Sequence, residues 1–150
     1  MYKAAVRWQV RRGLQTLNAG DPDRQVGGYA LDATLVFPGV SSWSGRYEGR
    51  DAIAGFLAFF TEHGLQLEAE DILVNGPPWR TRVAITATVT APGADGATVY
   101  RNRAAMYARA RWGKITYQED YEDTHESQRF DQHLHRTDGD TVIRPAPAAP

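Results

Sequence analysis

The chain predicts an α+β layer fold, with helices set against one antiparallel sheet. Helical apolar spacing is confined to about the first 63 residues. Residues 65–126 read as long β-rich runs separated by Gly/Pro turns. No internal repeat is visible.

Residues 2–18 form the first helix, because Tyr2, Val6, Val10, Leu14 and Leu17 recur at helical spacing. "NAGD" at 18–21 stops it, with Gly20 as a C-terminal cap. Asp21 and Pro22 suit the N-cap and first turn of a short second helix over about 22–29. "ATLVF" at 33–37 is a strand ended by Pro38, and 39–49 is a polar loop carrying Trp43 and Tyr47. Asp51 can cap a third helix over about 52–63, striped by Ile53, Phe56, Leu57 and Phe60. After Gly64, "LQLEAEDILV" begins with strict alternation, and "NGPP" at 75–78 excludes a central strand. "WRTRVAITATVT" at 79–90 is a β-branched strand, "APGADG" a hairpin turn, and 98–112 a long strand. "GKITYQEDYEDTHE" at 113–126 then returns along it. From about Ser127 the pattern dissolves, and 127–150 reads as a mobile extension of a 1–126 domain.

A length of 150 residues with 42% hydrophobic content suits one domain with a single core. A net charge of −1 favours neither nucleic acid nor an anionic membrane as partner. With no cysteine there is no disulfide, thiolate nucleophile or Cys-based zinc site. No apolar run is long enough to span a bilayer, and charges interrupt the N-terminal apolar pattern, unlike a signal peptide. A cytoplasmic location is the expectation.

The "RWGK" turn sets the partners of the last strand. A two-residue loop of Trp112 and Gly113 would need positive φ at Trp112. A three-residue loop with left-handed Gly113 avoids this and sets Met106 opposite Asp120. The odd residues Ile115, Tyr117 and Tyr121 are the more apolar set and argue for burial. The even set, Thr116, Gln118, Asp120 and Glu122, faces water or lines a polar cavity.

Four stretches, "VRRGLQTLNAGDPDRQ", "YEGRDAIAGFL", "NGPPWRTRVAI" and "RWGKITYQEDYEDT", in this order and spacing, resemble the nuclear transport factor 2-like superfamily. The chain looks closest to its SnoaL-like group, named after polyketide cyclases. The resemblance implies a curved, mostly antiparallel sheet wrapped into a cone by about three N-terminal helices. It implies a pocket between helices and sheet, and a homodimer through the outer sheet face. Arg101, Arg103, Arg109 and Arg111 form a stripe in register to meet Glu119 and Asp123. That stripe is either a solvated face or part of such an interface.

The superfamily hosts several chemistries. The ketosteroid isomerase Tyr, base and protonated Asp fall on Gly13, Phe37 and near Ala105, so that site is missing. The limonene epoxide hydrolase Asp-Arg-Asp set keeps its Arg as Arg82 and its second Asp as Asp120, but has Ala84 at the first Asp. The SnoaL-like cyclases use an Asp matching Asp120 as general acid/base, while their supporting His becomes Met106.

The resemblance therefore implies a small-molecule enzyme in which Asp120 acts on a carbonyl- or enol-type substrate and Arg82 orients it. Such proton transfer requires no cofactor. Phe37, Trp43, Tyr47, Trp79, Tyr100 and Met106 are candidates for the apolar wall. Asn102, Gln118 and Glu122 are candidate polar contacts. His133-x-His135 with Asp131 has metal-ligand spacing but sits by an unpatterned segment, so no metal site is assigned. Two other readings stay open: a binding protein for a hydrophobic metabolite, and an epoxide hydrolase variant recruiting Glu122 or Asp32.

Overall fold

In the computed structural model, residues 1–138 are described. Helix α1 (Tyr2–Asn18) buries Leu17 and packs chiefly on β3 (Gln66–Asn75) and α2 (Pro22–Val26). Three side chains fix it along β3 and β4 (Thr81–Pro92): Tyr2 Oη bonds Thr81 Oγ1, Arg7 Nε donates to Ile72 O, and Asn18 clamps the Leu67 backbone. Asp21 caps α2, accepting from Arg24 N at 3.0 Å. The helix ends at Val26, before Gly27 and Gly28, and Tyr29 opens strand β1 (Tyr29–Phe37) instead of closing the helix. Within the 39–49 loop lies a short strand, β2 (Gly45–Glu48), paired antiparallel with β1. Helix α3 (Arg50–Glu62) starts after Gly49 at φ 85°, two residues earlier than a cap at Asp51 would set it.

β5 (Thr98–Arg111) and β6 (Lys114–Glu122) complete a six-stranded sheet of order β2-β1-β6-β5-β4-β3. All neighbours are antiparallel except β1 and β6. The fold is thus α+β as predicted, with a fourth helix, α4 (Thr124–Asp138), besides the expected three. Residues 127–138 are therefore helical. Asp123 Oδ1 accepts from His125 N, and Phe130 and Leu134, four residues apart, are buried in the core. The remainder of the expected mobile extension, 139–150, lies outside the described residues. Among the described residues no helix is long and apolar enough to cross a membrane.

The β5–β6 turn differs from the expectation. Arg111 pairs with Lys114 around a two-residue loop, with Trp112 at φ 52° and Gly113 at φ 79°. Trp112 tolerates the left-handed backbone because its N–H donates to Pro78 O at 2.7 Å and its ring packs 6.0 Å from Trp79. Met106 nonetheless faces Asp120, since Ala110 pairs with Ile115 but Arg109 with Tyr117. Thr116 is an extra, bulged residue that shifts the register by one. The bulge also reverses the parity of β6. Ile115 lies on the helix-covered face together with Gln118, Asp120 and Glu122, while Tyr117, Glu119 and the exposed Tyr121 face outward.

Candidate active site

Helix α4 packs on the start of β5, but α1, α2 and α3 do not press onto β5 and β6. Between them lies a cavity of about 420 Å³, within the range of small-molecule sites. Its inner end is aromatic: Trp43 stacks on Phe59 at 5.2 Å, and Phe130 of α4 stacks on Tyr100 at 4.4 Å with the rings nearly parallel. The exposed residues of its lining, Gln9 and Arg12 on α1, Arg24 on α2, and Gly113 and Lys114 at the β5–β6 turn, mark its open side.

Asp120 projects into this cavity from the even face of β6 and is 8% exposed. Gln118 Nε2 donates to both of its oxygens, at 2.8 and 3.0 Å, and Tyr29 Oη donates to Gln118 Oε1 at 2.7 Å. The chain Tyr29–Gln118–Asp120 orients the carboxyl without supplying a positive charge. Burial pushes the Asp120 pKa up from 3.8 to about 7; the Gln118 bond opposes the rise and nearby Glu122 adds to it. Burial and the Asp120 charge raise the Tyr29 hydroxyl, so it stays protonated as a donor.

Glu122, two residues along the same face, forms a second polar cluster. Its Oε2 accepts from Tyr100 Oη, from Ser127 Oγ at 3.0 Å and from Asn102 Nδ2 at 3.3 Å. Burial raises its pKa and these three donors hold it back. The cavity thus offers two carboxyls: one with a single amide donor and a pKa near neutrality, the other held by three donors.

Of the residues expected at the site, Asp120, Gln118, Glu122, Phe37, Trp43, Tyr100 and Met106 line the cavity. Four do not. Arg82 is exposed on the outer face, because Thr81 and Val83 point inward and β4 alternates. Ala84 shares that outer face, so the Asp-Arg-Asp comparison places neither residue in the cavity. Tyr47 is fully buried behind the wall and donates to Trp43 O. Trp79 is 57% exposed, carried outside by the Pro77–Pro78 turn. Asn102 is buried behind the lining: its Nδ2 donates to Tyr100 Oη and to Asp123 O, both at 2.9 Å, tying β5 to the start of α4.

The outer face also departs from expectation. Arg103 pairs with Glu70 at 2.8 Å, Arg109 lies 4.2 Å over the Tyr117 ring, and Glu119 takes the hydroxyls of Tyr117 and Tyr121. Among the described residues no group of three metal-ligating side chains is found. Asp131 instead holds Ser42, through N at 2.8 Å and Oγ at 2.7 Å.

Sequence reasoning missed Tyr29, Ser127 and Phe130. Tyr29 was hidden by reading helix through Gly27-Gly28, a pair that could have marked the helix end. The cap at Asp123 followed by Phe130 and Leu134 at i, i+4 carried a usable signal for α4.

Residues 10–118 match the SnoaL-like domain family. Solved structures extend the likeness of fold. Bal32a, from a soil-derived mobile gene cassette, is 22% identical, with TM-score 0.68, over 81% of this chain and 92% of that one. A nuclear transport factor 2-like protein of unknown function from Burkholderia pseudomallei is 15% identical, with TM-score 0.65, over 91% and 95%. A hypothetical protein of ketosteroid isomerase-like fold from Catenulispora acidiphila, in complex with trimethylamine, is 18% identical, with TM-score 0.58, over 71% and 78%. No curated protein matches the chain.

Proposed function

We propose that this chain, which belongs to the SnoaL-like domain family, is a small-molecule enzyme in which the Asp120 carboxyl is the general acid/base for a carbonyl- or enol-type substrate. One observation carries the reading: Asp120 is buried in an apolar cavity with no cation beside it among the described residues, and this burial pushes its pKa up to about 7. A carboxyl poised there can both donate and accept a proton at neutral pH. Met106 opposite it and the Trp43–Phe59–Phe130 cluster favour an apolar carbon skeleton. Glu122 supplies a second carboxyl two residues away. Arg82 has no part in this mechanism. A homodimer through the outer face belongs to the same proposal, supported by the concavity at Leu73, Thr86, Ala105 and Tyr121 on that face.

The test is exchange of carbon-bound protons in deuterated water, followed by NMR over a panel of cyclic ketones and β-keto esters. Wild type should accelerate exchange for at least one compound, and Asp120→Asn should abolish it. Exchange that survives Asp120→Asn removes Asp120 from the mechanism. A second reading, a binding protein for a hydrophobic metabolite, draws on the apolar Met106 where a supporting His would be needed. Ligand binding without any exchange, equal in wild type and Asp120→Asn, selects it.

A further inference from the structure

The net charge of −1 conceals a segregation. Residues 1–20, 72–94 and 96–118 contain no Asp or Glu at all. The fold gathers parts of all three segments at one end of the sheet. There the first half of α1, the β3–β4 turn and the β5–β6 turn meet, as the Tyr2–Thr81 and Trp112–Pro78 hydrogen bonds show. The exposed cations Lys3, Arg7, Arg80, Arg111 and Lys114 stand at this pole, none in an ion pair within 4.0 Å among the described residues.

Exposed tryptophans share the pole. Trp79 and Trp112 are 57% and 68% exposed and pair at 6.0 Å, while Trp8, on the first half of α1, is 61% exposed beside Arg12. Three of the four tryptophans in the chain are thus presented to solvent, although Trp is ordinarily among the more buried side chains. The exposed lining residues of the cavity, Gln9, Arg12, Gly113 and Lys114, lie on the same α1 and β5–β6 turn, with Arg24 of α2 beside them.

We infer that this pole docks on an anionic phospholipid surface, so that the cavity mouth faces the bilayer and takes its apolar ligand from it. Cations near such a surface are attracted by the anionic headgroups. Indole rings partition to the headgroup level, where one edge is apolar and the N–H remains wet. A duplex nucleic acid would use the charge but has no use for an apolar cavity opening within the contact. A soluble partner protein would not require three acid-free segments to meet there. Docking is peripheral, and it is independent of the chemistry assigned to Asp120.

The test uses the full chain and vesicles of phosphatidylcholine alone or with one quarter phosphatidylglycerol, read by co-sedimentation. The expected result is binding at least tenfold stronger to the anionic vesicles, lost in 0.5 M salt. Trp79→Ala/Trp112→Ala and Arg80→Glu/Lys114→Glu should each weaken it about tenfold or more. All four positions are exposed, and circular dichroism checks the fold of each variant. Brominated lipid should quench wild-type tryptophan fluorescence, and much less that of the Trp79→Ala/Trp112→Ala variant. Equal or absent binding to both vesicle types overturns the inference. So does wild-type affinity in both variants, or displacement of the vesicles by a duplex oligonucleotide at lower concentration. Asp120→Asn should bind vesicles as wild type does, so loss of exchange in that variant and loss of docking are separate results.

Discussion

Asp120 makes folding stability depend on pH in a way that isolates its environment. In the unfolded chain its carboxyl ionises near the ordinary value of 3.8, in the folded chain near about 7. Between these values the unfolded state releases a proton that the folded state keeps, so rising pH favours unfolding. The stabilising contribution is fully present below about pH 4, falls as pH rises towards 7, and is gone above it. A rise of about three units at 1.36 kcal/mol each is worth about 4 kcal/mol. Asp120→Asn keeps the shape of the neutral acid and cannot titrate. Urea unfolding of both proteins at pH 4, 5.5 and 8 measures the effect. The stability of wild type minus that of Asp120→Asn should fall by about 4 kcal/mol from pH 4 to pH 8, with most of the fall complete by pH 7. Glu122 titrates in both proteins and largely cancels. A difference independent of pH, or one rising with pH, would mean that Asp120 is ionised in the folded chain, and the acid/base argument would fail with it.

Other expectations follow from the same geometry. Gln118→Leu removes the amide that donates to both Asp120 oxygens, so the Asp120 pKa should rise above about 7 in a carboxyl-carbon NMR titration; a fall contradicts the assigned role of Gln118. Phe130→Ala uncovers Tyr100 and opens the inner end of the cavity, and should cost about 3–5 kcal/mol in denaturant unfolding; under 1 kcal/mol would mean α4 does not seal the core. Asp131→Ala breaks both bonds to Ser42, at a cost of about 2–3 kcal/mol. Its hydrogen exchange should quicken in α4 and not in β4; uniform protection would show that the Ser42 contact does not hold the helix.

The element order, the helix faces and the long strands are legible in the sequence because hydrophobic periodicity and Gly/Pro punctuation are local signals. The Met106–Asp120 pairing was also anticipated, though through the wrong turn. A three-residue loop and a two-residue loop followed by a bulge give the same register there, and only the second needs a left-handed Trp112. No local propensity favours that conformation; the Pro78 carbonyl and the Trp79 ring, more than thirty residues away, stabilise it.

The sequence by itself determined the composition of the site: a carboxyl on the last strand, aromatics around it, and three acid-free segments. Tertiary structure decided how these were used. The Thr116 bulge turned the even face of β6 inward and made Asp120 a buried acid instead of a solvated one. Alternation of β4 sent Arg82 to the outer surface, leaving Asp120 no counter-ion among the described residues to offset the burial that raises its pKa. Sheet topology brought together the acid-free segments that a net charge had averaged away. Each outcome depends on which strands become neighbours, and neighbour identity is a long-range property that no window of residues contains.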